Sequence, residues 1–225
     1  MTLQKPFTSR IFWSRPQRST AGALVIAGSL LLAGCAGSSP ADPGTTSPAA
    51  SESATPSAAA TPTPTPSAVY KPADASGPAQ NVPVPMLPDV AKTETKEGLE
   101  AFAKYWYATL GYAYETGEMG PLEAVSDSSC SSCLRVRKEV TDWHSSGRWL
   151  EGGRVSVEAV DSNFVQSQPS TYQAIAQVKQ EAIIYHLSDG AVKGRLDALP
   201  TTPDILVAKF VGNEWKAQTV EHMVK

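Results

Sequence analysis

Two cysteines three residues apart, Cys130-Ser-Ser-Cys133, have the spacing best suited to chemistry in this 225-residue sequence. Thiols at this distance close a small disulfide, cycle as a redox couple, or supply half of a zinc site. Zinc needs a second cysteine pair or a pair of nearby histidines. The sequence offers one further cysteine, Cys35, and three scattered histidines, His144, His186 and His222. No metal and no cofactor is therefore expected. A redox couple needs an activated thiolate, and a helix N-terminus provides one. The pair does stand at the predicted start of a helix from Ser131 to His144. It lacks a preceding tryptophan and a βαβ setting, so a disulfide staple is the first reading and thiol redox chemistry the second alternative. A four-residue loop of this kind stabilises by about 2 kcal/mol in the chain-entropy account.

The histidines lack the i, i+4 spacing of a metal site. For proton abstraction His186 or His222 would need a carboxylate, and Asp161 and Asp127 are the candidates. Nothing in the spacing makes them converge, and the plain reading is three unconnected histidines. Trp106, Trp143, Trp149 and Trp215 could line a ligand pocket, but large aromatic side chains at helical and strand spacing more often build a core. Gly152-Gly153 lacks the spacing of a phosphate loop and reads as a turn. There is no Gly-x-Ser-x-Gly elbow and no paired-carboxylate motif.

Cys35 has a different setting. Lys5, Arg10, Arg15 and Arg18 precede an apolar run, Ala21 to Ala33, with no acidic residue before position 35. Thirteen helical residues span about 20 Å, short of the ~30 Å hydrocarbon layer, so a secretory signal fits better than a permanent span. No Arg-Arg pair is present, which favours the general secretion route. The run ends in Leu32-Ala33-Gly34-Cys35, which closely resembles the bacterial lipobox. The resemblance implies diacylglyceryl transfer to the Cys35 thiol, cleavage before it, and anchoring to membrane lipid by acyl chains such as palmitate. The expected location is the outer face of the cell membrane. Two chains anchor stably where one alone binds marginally. Removing the four cations of residues 1–34 from 19 leaves 15 basic against 22 acidic residues, a net of −7. With no basic face to displace counterions, nucleic acid is not an expected partner.

Residues 36–88 hold 12 of the 18 prolines, with Ala, Ser and Thr between them. Proline removes backbone donors, and alanine buries too little to offset ordering entropy, so a disordered tether is predicted from 35 to 88. Its Thr-Pro repeat, 61–66, should be extended and left-handed. Fully stretched, the segment reaches on the order of 160 Å at ~3.1 Å per residue. Val82-Pro-Val-Pro-Met-Leu-Pro88 is more apolar and is expected to pack on the domain as a strap.

The elements that must position the candidate residues lie in 90–225. Leu99, Phe102, Trp106, Leu110 and Ala113 recur at three and four residues, predicting a helix from near Thr95 to Gly117. Pro121 suits the first turn of a short second helix. In the third helix Leu134, Val136, Val140 and Trp143 are the expected buried positions. Beyond Gly147 the period becomes two. Val155, Val157 and Ala159 mark one strand. Tyr172, Ala174, Ala176 and Val178 mark a second, which continues through Leu187 to a turn at Asp189-Gly190. A hairpin follows, 204–211 and 215–224, turning at Gly212-Asn213. The predicted class is α+β, with N-terminal helices on a curved four-stranded antiparallel sheet.

The order of these elements, the aromatic first helix and the Gly-Asn-Glu-Trp215-Lys hairpin resemble the nuclear-transport-factor-like, or SnoaL-like, cone fold over about 90–225. A second resemblance rests on Tyr105-Trp-Tyr, Ala113-Tyr-Glu-Thr-Gly-Glu, Ser126-Asp-Ser-Ser-Cys130-Ser-Ser-Cys133, and Glu151-Gly-Gly-Arg154-Val. These stretches look like an uncharacterised family of actinobacterial secreted lipoproteins with the same signal, tether and Cys-x-x-Cys. That family implies location and architecture, not activity. The function expected is a membrane-anchored, non-catalytic binding or interaction domain whose partner is an envelope protein or a small apolar ligand. The alternative is a small isomerase- or hydrolase-like cone enzyme using a His/Asp pair.

Overall fold

Thr95 begins the main helix by turning its side-chain oxygen back to accept from the Gly98 amide at 3.0 Å. The computed structural model describes residues 68–223. The expected signal peptide, Cys35 and the tether up to residue 67 lie outside the described residues. Helix α1, Lys96–Thr116, carries Glu97 in its first turn and stops at Gly117, whose φ of +80° closes the end with a hydrogen bond to Ala113. Its expected apolar face is buried: Leu99, Phe102, Trp106, Leu110 and Ala113. Gly98 has a packing reason. A Cβ there would sit 2.1 Å from the Thr93 carbonyl oxygen, so only glycine lets the 3₁₀ turn Asp89–Lys92 lie against α1.

Helix α2, Gly120–Ala124, has Pro121 in its first turn, and α3 runs from Ser131 to His144 as the periodicity predicts. Cys130 caps α3 and is joined to Cys133 by a disulfide. Val136 and Val140 are buried, Trp143 is half-buried, and Leu134 departs from expectation at 46% exposed.

Seven strands follow, not four. They are β1 (Trp149–Gly152), β2 (Val155–Asp161), β3 (Thr171–Gln180), β4 (Ile183–His186), β5 (Val192–Leu196), β6 (Leu199–Val211) and β7 (Glu214–His222). All pairs are antiparallel, in a three-stranded sheet β1-β4-β5 and a four-stranded sheet β2-β3-β6-β7. The run expected to be one long strand through Leu187 is divided at Glu181-Ala182 between the two sheets.

The division has a local cause. Opposite Ala182 stand Gly152 and Gly153, with φ of +77° and +72°. The pairing itself does not slip. Gly152 faces Ile183, Gly153 donates to the Ala182 carbonyl at 2.8 Å, Glu181 donates to that of Arg154 at 3.0 Å, and Val155 faces Gln180. One ladder is thus bent at a glycine pair, so Gly152-Gly153 is a bend within a ladder and not a reversing turn. In β2 a bulge between Val157 and Ala159 moves the inward phase onto Val160 and leaves Ala159 exposed.

The core lies between α1 and the four-stranded sheet, closed at one side by α3 on β7. Trp215 sits at its centre, with ring centroids 6.2 Å from Phe102, 5.5 Å from Tyr172 and 4.9 Å from Phe210. Its indole N–H donates to the Thr93 carbonyl at 3.0 Å, and that of Trp106 to the Ser126 hydroxyl at 3.0 Å. Among the described residues no helix is long and apolar enough to cross a membrane.

From the first described residues the strap is already ordered by its own bonds, ahead of the apolar stretch. Lys71 and Gln80 exchange backbone hydrogen bonds at 3.0 and 2.9 Å, as do Asp74 and Gly77 at 3.1 and 3.2 Å. Tyr70 donates to the Glu115 carboxylate on α1, and the Trp149 indole donates to the Asp74 carbonyl at 2.9 Å. Leu87 packs on the core, while Val84 and Met86 face solvent.

The bend yields a direct test. An alanine Cβ at 152 would lie 2.3 Å from the Ala182 oxygen, in a backbone region that disfavours any side chain. Gly152→Ala is expected to cost about 2–4 kcal/mol in chemical denaturation. Gly194→Ala on β5, where a Cβ meets nothing within 4 Å, should stay within ~0.5 kcal/mol. Equal midpoints for the two would show that the bend tolerates side chains.

Candidate functional site

Among the described residues, two openings into the domain differ in size by more than tenfold. The larger is a groove of about 660 Å³ between the strap, α1 and the bend. Pro72, Val82, Pro83 and Pro85 form its strap side, and Ala108, Gly111 and Tyr112 its helix side. Proline supplies a stiff apolar wall without backbone donors, and the helix turns small residues toward the space. Charge is confined to a few groups: Glu115, Glu151, Glu181 and Arg154. Glu115 accepts from Tyr70, which raises the Tyr70 pKa.

The smaller opening is a cavity of about 30 Å³ at the inner end of α1, room for about one water. It is lined in part by Tyr107, Tyr114, Asp204 and His222. Asp204 is 1% exposed and takes two donors, the Tyr107 hydroxyl at 2.8 Å and the His222 Nδ1. Burial first, then the Asp204 charge and hydrogen bond, push the Tyr107 pKa well up, so the phenol stays a donor. Burial, then Tyr185 and Asp204, do the same to Tyr114.

The histidines do find carboxylates, but neither of the expected ones. His222 pairs with Asp204 directly across the β6–β7 hairpin, and His186 pairs with Glu151 across β1–β4 at 2.7 Å. Asp161 is exposed and pairs with Lys96 at 3.1 Å. Asp127 makes a turn with Ser129, accepting from its hydroxyl at 2.5 Å and its amide at 2.8 Å, and those bonds, the hydroxyl's first, lower its pKa. His144 donates through Nε2 to the Tyr114 carbonyl at 2.9 Å, and burial lowers its pKa.

Asp204 and Tyr107 were hidden for a physical reason. Counting outward from the Gly212-Asn213 turn pairs Val211 with Glu214, which would set His222 opposite Pro203. A bulge between Val207 and Ala208 shifts the register by one residue onto Asp204. The usable signal was a carboxylate in phase with the inward-facing Leu206 and Ala208. Glu151 could not be found without β1, a four-residue strand.

The four tryptophans do not share a pocket. Trp106 and Trp215 fill the core, Trp143 and Trp149 brace the three-stranded sheet, and none lines the groove or the cavity. Both disulfide cysteines are buried, Cys130 at 0% and Cys133 at 7% exposure, so a redox role lacks the accessible sulfur it requires. Among the described residues no cluster of His, Cys, Asp or Glu could hold a metal ion.

An α+β domain of this order, with a helix-backed antiparallel sheet and a buried carboxylate paired with a histidine beside the core, is the class these features define. The chain belongs to the family of unknown function DUF6318, whose model matches residues 68–221 and so starts at the strap. No curated protein matches the chain. Solved structures are similar in outline. The intermembrane-space region of the chloroplast protein ARC6 is 13% identical, covering 58% of this chain and 98% of its own at a TM-score of 0.42. Aln2 from a Streptomyces species is 11% identical, covering 53% and 85%, at 0.35. A domain of unknown function from Nostoc punctiforme, described as having a cystatin-like fold, is 14% identical, covering 59% and 79%, at 0.36.

The buried pair makes a stability claim. Tyr107→Phe deletes one donor to a buried carboxylate and should cost about 1–3 kcal/mol in chemical denaturation. Tyr112→Phe, on the groove wall, should change stability by no more than ~0.5 kcal/mol. An unchanged midpoint for Tyr107→Phe would mean that Asp204 does not depend on the phenol.

Proposed function

We propose that this protein is a membrane-anchored extracytoplasmic lipoprotein whose folded domain is a non-catalytic binding module, working through the groove beneath the strap. The observation that carries the binding role is the contrast in volume. Ligand sites commonly enclose about 300–1,000 Å³, mostly apolar, with a few polar groups. The groove, at about 660 Å³ and walled by prolines and tyrosines, falls in that range; the interior cavity, at about 30 Å³, does not. An envelope protein segment or a small apolar ligand fits this lining. The reading as an actinobacterial lipoprotein on the outer face of the cell membrane is supported by the basic N-terminus, the apolar run and Leu32-Ala33-Gly34-Cys35.

A cone-fold enzyme is the second reading, and the meeting of Tyr107, Asp204 and His222 favours it. Those groups face a space that admits about one water, too small for a substrate as it stands.

Anchoring predicts that Cys35→Ser releases the protein into the medium or leaves it as an uncleaved precursor. Unchanged partitioning into the detergent phase would overturn the lipid anchor. Binding predicts that a photo-crosslinking side chain in place of Tyr112 gives a defined adduct on intact cells. Gly111→Leu, which fills the groove where a Cβ has 4.0 Å of clearance, should cut that adduct by about tenfold. A crosslinker at Ile175, exposed on the four-stranded sheet, should give none. Adducts from Ile175 alone would move the binding surface to the sheet.

A further inference from the structure

His186 is 1% exposed, and each of its ring nitrogens faces an acceptor. Nδ1 lies 3.1 Å from the Gly190 carbonyl oxygen and Nε2 2.7 Å from the Glu151 carboxylate. A carbonyl oxygen and an ionised carboxylate both only accept, and a neutral imidazole has a single N–H to give. Both bonds exist together only when the pair holds one proton beyond a neutral ring and a carboxylate. The arrangement drawn by the geometry is an imidazolium bonded to Glu151 on one side and Gly190 on the other.

We propose that this proton is a latch: while the His186–Glu151 pair holds it, the strap stays fastened to the three-stranded sheet, and its loss loosens the strap and with it the wall of the groove. The ring stacks on Trp149, with centroids 5.0 Å apart and planes at 10°, and Trp149 donates to the Asp74 carbonyl of the strap at 2.9 Å. Gly190 touches the strap as well, since a Cβ there would come 3.2 Å from the Ala75 oxygen. Trp149, on which the ring stacks, is thus also a residue that holds the strap's turn, and Gly190, which accepts from the ring, lies beside that turn. A cationic ring stacks on indole more strongly than a neutral one. On losing its proton the ring weakens that stack and gives up either Gly190 or Glu151. If Glu151 is given up, an unpaired carboxylate stands in the groove wall.

The charges around the ring have other occupations. On the strap, hydrogen bonds from Ser76 and then from Lys71 hold the Asp74 pKa down to about 2, so it stays ionised. In the β4–β5 turn Asp189 accepts from the Ala191 amide at 3.0 Å. On β5, Lys193 and Arg195 are exposed to solvent, and across the groove Glu115 takes the Tyr70 hydroxyl. The extra proton therefore belongs to the His186–Glu151 pair.

The effect of the latch on a ligand rests on the groove reading; the latch itself is tested with no ligand present. In the full-length ¹⁵N-labelled protein, long-range ¹H–¹⁵N spectra count the hydrogens on the His186 ring across a pH series. Amide exchange at Lys71, Asp74, Gly77 and Gln80, corrected for the base catalysis of exchange, follows the strap hairpin in the same samples. Both ring nitrogens should be protonated at the acid end and one at the alkaline end. Strap exchange should rise by about tenfold or more over that interval, the scale of one charge-assisted hydrogen bond. The Val220 amide, bonded to the Ser132 hydroxyl in the core, should not follow. In Glu151→Gln the carboxamide N–H donates to Nε2, so a neutral ring keeps both bonds and the strap should stay protected with its pH dependence gone. A ring with one hydrogen at every pH overturns the latch. So does a ring that titrates while strap exchange stays flat, or strap exchange that rises equally in Glu151→Gln. Failure of the Tyr112 crosslink would sink the groove reading and leave these results standing.

Discussion

The carbonyl oxygen of Ala182 occupies the space that a side chain at position 152 would need. Much of the arrangement follows from that close approach. Two glycines with positive φ let the β1–β2 strand bend while its partner, β3–β4, bends with it, and the pairing continues through the corner without a slip. A continuous flat ladder here would have run straight past α1. The bent one wraps the helix and sends β1, β4 and β5 out as a separate sheet. The corner is also where the groove forms, because Gly152, Gly153, Arg154 and Glu181 all lie on its wall.

The interior and the exterior of the bend are built on opposite principles. Inside, Trp215, Trp106, Phe102 and Tyr107 are shut away from solvent. Each large ring buries on the order of 150–250 Å², so a few of them dominate what a domain this small gains from burial. The one carboxylate among them, Asp204, is tolerated because it has two donors; with fewer it would be an uncompensated buried charge. It therefore also fixes the β6–β7 register, since a slip by one residue would separate Asp204 from His222. Outside, the strap does not fill the space it covers. Its prolines hold it stiff at a distance from α1, fastened by Tyr70 at one point and by Trp149 at another.

What could be read from the sequence follows how local each signal is. Helices α1 and α3 were legible nearly to the residue, because Thr95, Gly117, Cys130 and the apolar spacing act within a turn or two. The last hairpin was legible from Gly212-Asn213, where both residues adopt positive φ. Strands β1 and β5 were not, since Trp149–Gly152 and Val192–Leu196 are too short and too polar to show a period. The strap's first part was masked by its composition: prolines and alanines read as tether, although Asp74-Ala-Ser-Gly77 makes a defined turn. The candidate site was less legible still. Histidines could be named, but their partners depended on a bulge in one case and on an unseen strand in the other.

The two histidine–carboxylate pairs that result look alike and differ in their third partner. At Asp204 the third partner is a phenol, a donor, and it adds to the carboxylate. The Tyr107 hydroxyl and the His222 Nδ1 then both donate to the one carboxylate. At Glu151 the third partner is a backbone carbonyl, an acceptor, and it adds to the histidine. The ring must then donate twice to keep both bonds, which is the basis of the proposed latch. One pair is locked in the core beside a cavity with room for about one water. The other sits at the edge of the groove, where a change in its charge reaches both the strap and whatever the strap covers.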